Sequence, residues 1–249
     1  MWILIPGLAM NAVEFSKTPN ARALQNPGFG SQCAQVLSAS PAPKNYKIED
    51  IAKQHVESIK SAAKGKDEIT IVGFSMGGFV LSVLASKYRS ELPPKTRFVF
   101  MATSPNLPSN PVLKPEMVAS WSKLKGGDVA GFDEALAPFF SEDFRRDSSD
   151  EYLKYIKYRA FGKNGQSGED FGKQVSAILR WNGEEYFKNI DPSEAVFIFG
   201  GRDSIIDQTH VDDVRRLVPG ANIQVIPDIG HMIHLENPEA FENAIRGGP

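Results

Sequence analysis

The 249-residue sequence has little of what builds covalent cross-links or metal cages: one cysteine, Cys33, and four histidines. A single thiol forms no disulfide within the chain and no thiolate cage, so a reducing compartment suits it and the cytoplasm is the expected location. An excess of one charge is also missing. The 28 Lys and Arg residues stand against 30 Asp and Glu, a net charge of −2, which leaves no broad basic field for a phosphate backbone. Nucleic acid is therefore not an expected partner. Long apolar runs are absent as well. Met1-Trp2-Ile3-Leu4-Ile5-Pro6-Gly7 stops after a few apolar residues, with no basic lead and no small-residue cleavage site. Nothing else approaches the roughly 18 apolar residues of a membrane helix, so membrane insertion is not expected. What is present, 41% hydrophobic and 10% aromatic residues, suits one soluble globular unit whose core needs neither disulfide nor metal. A monomer or weak homodimer acting on a small molecule, without a cofactor, is the expectation.

Short apolar, β-rich runs recur at residues 2–5, 36–38, 69–72, 98–101, 196–199 and 223–226, each followed by small or turn-forming residues. Runs of this length suit strands buried on both faces. Helical spacing lies between them. Ile48, Ile51, Ala52, Val56, Ile59 and Ala63 mark one face, and Glu49, Lys53, Glu57 and Lys60 the other. Val211, Val214, Leu217 and Val218 repeat the pattern, and Asn237-Pro238 reads as an N-cap with proline at the first helical position. The alternation of strand and helix predicts an α/β fold with a mainly parallel sheet of about six strands. Residues 105–190 break the rhythm: no strand is evident, helices are expected near 116–124, 133–140, 149–161 and 171–181, and Ser148-x-x-Glu151 reads as a capping box. About half of the aromatic residues fall in this segment. They fit equally an ordinary helical packing unit and a lid with an apolar underside.

Gly73-Phe74-Ser75-Met76-Gly77-Gly78 joins a predicted strand to the helix-like Phe79-Val80-Leu81-Ser82. A turn sharp enough to expose the Ser75 hydroxyl strains its backbone and leaves room only for hydrogen beside it, which Gly73 and Gly77 supply. The helix start aims free N–H groups at any oxyanion formed there. A serine hydroxyl needs a base, and the base needs an orienting group. His55 falls on the apolar face of its helix, His210 opens a helix and is expected to be solvated, and His234 reads as a packing residue. His231 follows Asp228-Ile229-Gly230 after the last strand and is the expected base. His231-x-x-His234 also has metal-ligand spacing, but no further ligands accompany it. Asp203 follows Val196-Phe197-Ile198-Phe199-Gly200-Gly201-Arg202 and is the expected orienting acid; its competitor, Asp207, reads better as the N-cap of a helix over 208–218.

The order Ser75, Asp203, His231, with Ile5-Pro6-Gly7-Leu8 before it and Gly230-His231-Met232-Ile233-His234-Leu235-Glu236-Asn237-Pro238 after it, resembles the α/β-hydrolase superfamily, in particular its small cap-bearing esterases and C–C hydrolases. The resemblance spans nearly the whole chain. It implies a core of residues 1–104 and 191–249, a helical cap of residues 105–190, and an oxyanion hole from the backbone N–H groups of Leu8 and Met76. Pro6-Gly7 replaces the His-Gly of many relatives, the usual N-terminal hairpin is missing, and residues 11–43 fit the pattern poorly. Pimeloyl-ester-type carboxylesterases are among the similar enzymes.

The chemistry so implied is cleavage of a carboxylic ester or thioester of an apolar or acyl-chain substrate through an acyl-enzyme on Ser75, with Phe139 and Phe140 as candidate pocket residues. No cluster of arginines demands a carboxylate or phosphate. The same triad also serves cofactor-free haloperoxidases, acyltransferases and C–C bond hydrolases, and a slow-turnover ligand sensor that signals through its cap is the reading from another class.

Overall fold

A computed structural model describes residues 1–15, 18, 20–28, 45–106, 121, 123–162 and 166–246. Six strands form one sheet: β1 (Trp2–Ile5), β2 (Ala21–Ala23), β3 (Glu68–Phe74), β4 (Lys95–Met101), β5 (Ala195–Gly200) and β6 (Asn222–Ile226), in the order β2-β1-β3-β4-β5-β6. Every pairing is parallel, with Ile5 opposite Gly73, Gly73 opposite Phe100, Phe100 opposite Phe197 and Gly200 opposite Ile226. All C-terminal strand ends therefore lie along one edge, where an open α/β sheet places its ligands.

Side chains alternate across the strands, and each face has its own core. Ile3, Ile5, Ile71, Phe98, Phe100, Phe197 and Phe199 pack on one side against α1 (Ile48–Ala62), α2 (Met76–Lys87) and α8 (Gln208–Leu217). Leu4, Val72, Val99, Met101, Val196 and Ile198 pack on the other, where α10 (Pro238–Arg246) brings Phe241, Ala244 and Ile245. Phe197 and Phe100 are fully buried and stack at 4.6 Å between centroids; burying a side chain of this size contributes roughly 1.5–3 kcal/mol.

Between β4 and β5 run five described helices, α3 (Val129–Leu136), α4 (Glu142–Asp147), α5 (Ser149–Phe161), α6 (Gly168–Leu179) and α7 (Glu184–Lys188). Among the described residues this stretch has no strand, only an isolated bridge between Asn106 and Asn182. A single-turn helix, α9 (Ile233–Glu236), precedes α10. Asp207 and Asn237 cap α8 and α10 as expected, accepting from the amides of Thr209 and Ala240 at 2.9 Å each.

Four expectations need revision or fall outside view. The strand at 36–38 lies outside the described residues, as does most of the helix at 116–124. The sixth strand is instead β2, whose Ala-Arg-Ala sequence carries no β-branched or aromatic signal. Ser148 sits at the start of α5 but its side chain makes no capping bond. His210, expected to be solvated, is instead 7% exposed, with its Nδ1 3.0 Å from Asp207 Oδ1.

Candidate active site

Ser75 occupies the turn between β3 and α2 with φ 53 and ψ −120, a left-handed backbone that a serine adopts only under constraint. The constraint is visible on both sides. The Ser75 amide donates to the Met101 carbonyl at 2.9 Å, and the Ser75 carbonyl accepts from the Thr103 hydroxyl at 2.9 Å and the Gly78 amide at 2.8 Å. A Cβ on Gly77 would overlap the carbonyl oxygen of Ile5, and one on Gly73 would stand 2.5 Å from the Gly77 carbonyl. The two glycines are thus required by the close approach of β1, the turn and α2.

Asp203 and His231 come from the loops after β5 and β6. Backbone bonds tie those loops together, Gly201 N–H to Ile226 O at 2.7 Å and Arg202 N–H to Ile229 O at 2.9 Å. His231 Nδ1 lies 2.8 Å from Asp203 Oδ2, with the side chains 1% and 0% exposed respectively. Asp203 Oδ1 accepts from the amides of Ile205 and Ile206 at 2.8 and 2.9 Å, so both carboxylate oxygens are engaged and the side chain has one orientation. An ionised carboxylate accepts only, which puts the imidazole proton on Nδ1 and leaves the Nε2 lone pair free. Nε2 is buried and makes no hydrogen bond.

Ser75 and His231 line one cavity of about 260 Å³. Its wall includes Leu8, Met10, Phe74, Trp121, Leu136, Phe139, Phe140, Phe171 and Met232. Phe139 sits edge-on to His231 at 5.5 Å, whereas Phe140 is 4% exposed and spends most of its ring on Phe144, Tyr152 and Tyr155. Leu8 follows the turn after β1, and the Met76 amide, in the first turn of α2, has no acceptor within its own helix.

The remaining histidines have other surroundings. His234 is packed among Phe15, Phe74 and Phe241, and burial, with the neighbouring His231, pushes its pKa down to about 3. His55 is fully buried with Nε2 3.2 Å from Asn26 Oδ1, and burial lowers it to about 3 as well. At neutral pH both are uncharged rings walled off by core residues.

Several polar residues escape sequence reasoning. Gln174 Oε1 accepts from the Ala9 amide at 3.1 Å, and Arg159 donates to the Ala9 carbonyl at 2.9 Å, so both sides of Ala9 (φ 56) are held by helices that lie between β4 and β5 in sequence. Glu236 accepts from the Ser141 amide and hydroxyl at 3.1 and 2.5 Å and from the Gly230 amide at 3.1 Å. Ser204 Oγ donates to the Pro138 carbonyl at 2.8 Å, and the Met232 amide to the Phe139 carbonyl at 3.1 Å. Residues 137–141 are therefore bonded to the loops that carry both Asp203 and His231.

No described helix is long and apolar enough to cross a membrane. Among solved structures the chain is similar to an enol-lactonase from Burkholderia xenovorans LB400, with TM-score 0.74 and 20% identity over 99% of this chain and 90% of that one. It is also similar to an esterase from Exiguobacterium antarcticum, with TM-score 0.72 and 14% identity over 99% and 90%. A curated relative, the human 1-acylglycerol-3-phosphate O-acyltransferase ABHD5, is 23% identical over 227 residues, which is 80% of this chain and 62% of that protein. The chain spans less than two thirds of the length of the curated relatives it matches. The model of the alpha/beta hydrolase fold matches residues 3–238, a span that contains β2 to β6, all of β1 but Trp2, and the turns bearing Ser75, Asp203 and His231, and the chain belongs to that family.

Proposed function

We propose that the protein is a serine hydrolase that cleaves carboxylic esters, thioesters included, of apolar or acyl-chain substrates through an acyl-enzyme on Ser75. One observation carries it: His231, oriented by Asp203 through Nδ1, keeps a buried and unpartnered Nε2 beside the cavity that the strained Ser75 also lines. The similarity of the fold to that of an esterase and an enol-lactonase agrees with this reading. Ser75 Oγ attacks the substrate carbonyl carbon while His231 Nε2 takes its proton, and Asp203 stabilises the resulting imidazolium. The tetrahedral oxyanion sits against the amides of Leu8 and Met76, each worth roughly 3 kcal/mol in such sites. His231 returns the proton to the departing alcohol or thiol, and the acyl group remains on Ser75. Water, deprotonated by His231, then attacks the acyl carbonyl; the acyl–Oγ bond breaks, His231 hands the proton to Ser75 Oγ, and the acid is released.

The aromatic wall around Phe139 suits the apolar part of such a substrate. Residues 105–190 act as the lid of the cavity, over a core of 1–104 and 191–249. The test is Ser75→Ala with short p-nitrophenyl esters, alongside labelling of the wild-type chain by a fluorophosphonate. Turnover is expected to vanish in the variant, with the covalent adduct mapping to Ser75; undiminished hydrolysis by Ser75→Ala overturns the assignment.

A further inference from the structure

One part of the cavity wall is neither apolar nor part of the Ser75 machinery. Glu14, Tyr155, Tyr158 and Arg159 all line it. The charged pair is sealed in, the Glu14 side chain 4% and the Arg159 side chain 15% exposed, with a closest approach of 3.7 Å. Two opposite charges at that distance leave the wall with no net charge. Glu14 is spent: Oε1 accepts from the Asn11 amide at 3.0 Å and Oε2 from the Tyr155 hydroxyl at 2.8 Å. Arg159 is not, since it donates to the Tyr155 hydroxyl and the Ala9 carbonyl, each at 2.9 Å, and a guanidinium carries more N–H groups than those bonds use. The same cavity is lined by Gln166 and Trp121, whose amide Oε1 and Nε2 and indole N–H are buried without partners. Unpartnered buried polar atoms are costly, and a ligand that reaches them removes the cost.

The position is set by Ala9. It lies two residues beyond Gly7, where an added Cβ would stand 3.1 Å from Ser75 Cβ. The guanidinium bonded to the Ala9 carbonyl is thus on the order of 10 Å from Ser75, the reach of a short acyl chain.

We propose that this wall is a subsite for an uncharged hydrogen-bonding group, a hydroxyl, ketone or amide, carried by the ester substrate a few carbons from its scissile carbonyl, and that it rejects a carboxylate at the same place. The proposal rests on the ester hydrolysis proposed above. A neutral group gains the spare donors of Arg159 and the free amide of Gln166 without giving up a full charge's hydration. A carboxylate gives up that hydration and meets Arg159 already balanced by Glu14, so the attraction does not offset the desolvation.

The test compares p-nitrophenyl hexanoate, its ω-hydroxy counterpart and the p-nitrophenyl half-ester of adipic acid, with a second series bearing the same end groups on the alcohol side. In one of the two series, kcat/KM for the hydroxy ester is expected to exceed that of the plain ester by about fivefold, the worth of one net hydrogen bond. The half-ester is expected to fall about tenfold or more below the hydroxy ester. Glu14→Gln strips Arg159 of its counter-charge and is expected to raise the half-ester relative to the hydroxy ester by about tenfold. A half-ester hydrolysed as fast as the hydroxy ester in both series by the wild-type chain overturns the proposal, as does a ratio that folded Glu14→Gln leaves unchanged; the wild-type comparison decides alone if that variant does not fold. Ser75-dependent hydrolysis of the plain ester checks the underlying reading separately. Should no ester turn over, that reading fails, and thermal shifts of the wild-type chain with the three esters read the same preference, equal shifts overturning the subsite.

Discussion

The side-chain oxygen of Gln174 accepts a hydrogen bond from the Ala9 amide at 3.1 Å across 165 residues of sequence. Gln174 is fully buried in α6, and its Nε2 donates in turn to the Tyr46 hydroxyl at 3.0 Å. The loop that carries Leu8 is therefore held by α6, and by α5 through Arg159, with Ala9 kept in a left-handed backbone.

Gln174→Met removes that acceptor while keeping the volume. If the Leu8 amide stabilises the oxyanion, kcat is expected to fall about tenfold with KM nearly unchanged, because the loss is confined to the transition state. Steady-state kinetics on a p-nitrophenyl ester reads the split; a rise in KM alone would argue that Gln174 contacts substrate instead.

Asp203→Asn separates orientation from packing. The new side chain can still accept from the Ile205 and Ile206 amides through its oxygen, but it turns an NH2 toward His231 Nδ1 and forces the ring proton onto Nε2. The expected loss in kcat is roughly 10³–10⁴-fold with an unchanged circular dichroism spectrum. A loss below tenfold would remove Asp203 from the mechanism.

His55 and His234 make stability acid-sensitive. Both stay neutral in the fold down to about pH 3, whereas in the unfolded chain they protonate near the ordinary histidine value. Between those limits the unfolded state binds more protons, so stability is full above the unfolded value and falls as the pH drops toward about 3, by up to about 1.4 kcal/mol per pH unit for each ring. Urea midpoints between about pH 7 and about pH 5 measure the slope, and His234→Leu is expected to make it shallower. Identical slopes in the two chains would show that His234 is not the acid-sensitive group.

Two glycines in helices predict opposite outcomes for one substitution. Gly77→Ala drives a methyl into the Ile5 carbonyl and is expected to lower Tm sharply and abolish activity. Gly172, inside α6, has nothing within 4 Å of an added Cβ, so Gly172→Ala is expected to stabilise by about 0.5–1 kcal/mol with activity intact. Calorimetry of both variants checks the pair.

The strands that sequence predicts, β1 and β3 to β6, and the turn at Ser75 share a property: each is signalled by residues adjacent to it. An apolar run between glycines is a local fact, and so is G-x-S-x-G between strand and helix. The short β2 lacked such a signal because Ala-Arg-Ala gains its conformation only by pairing with β1. The polar wall was illegible for the same reason. Arg159 meets Ala9 across 150 residues, Tyr155 meets Glu14 across 141, and Ser141 meets Glu236 across 95. Periodicity placed Tyr155 and Arg159 on a helix, but only the closed chain could say that they look into the cavity. The burial of His210 is likewise invisible in the sequence, since a place at a helix start does not say what packs over the ring.

The bonds between residues 137–141 and the core bear on how this architecture can be recombined. Glu236 receives three bonds from Ser141 and Gly230 together, so the wall segment and the His231 loop are matched halves of one seam. A chimera that imports the helices between β4 and β5 from a relative while keeping the rest of this chain would present Glu236 with a foreign partner. Cut points outside the seam, with Ser141 and Glu236 travelling as a pair, are the ones that preserve the register of His231.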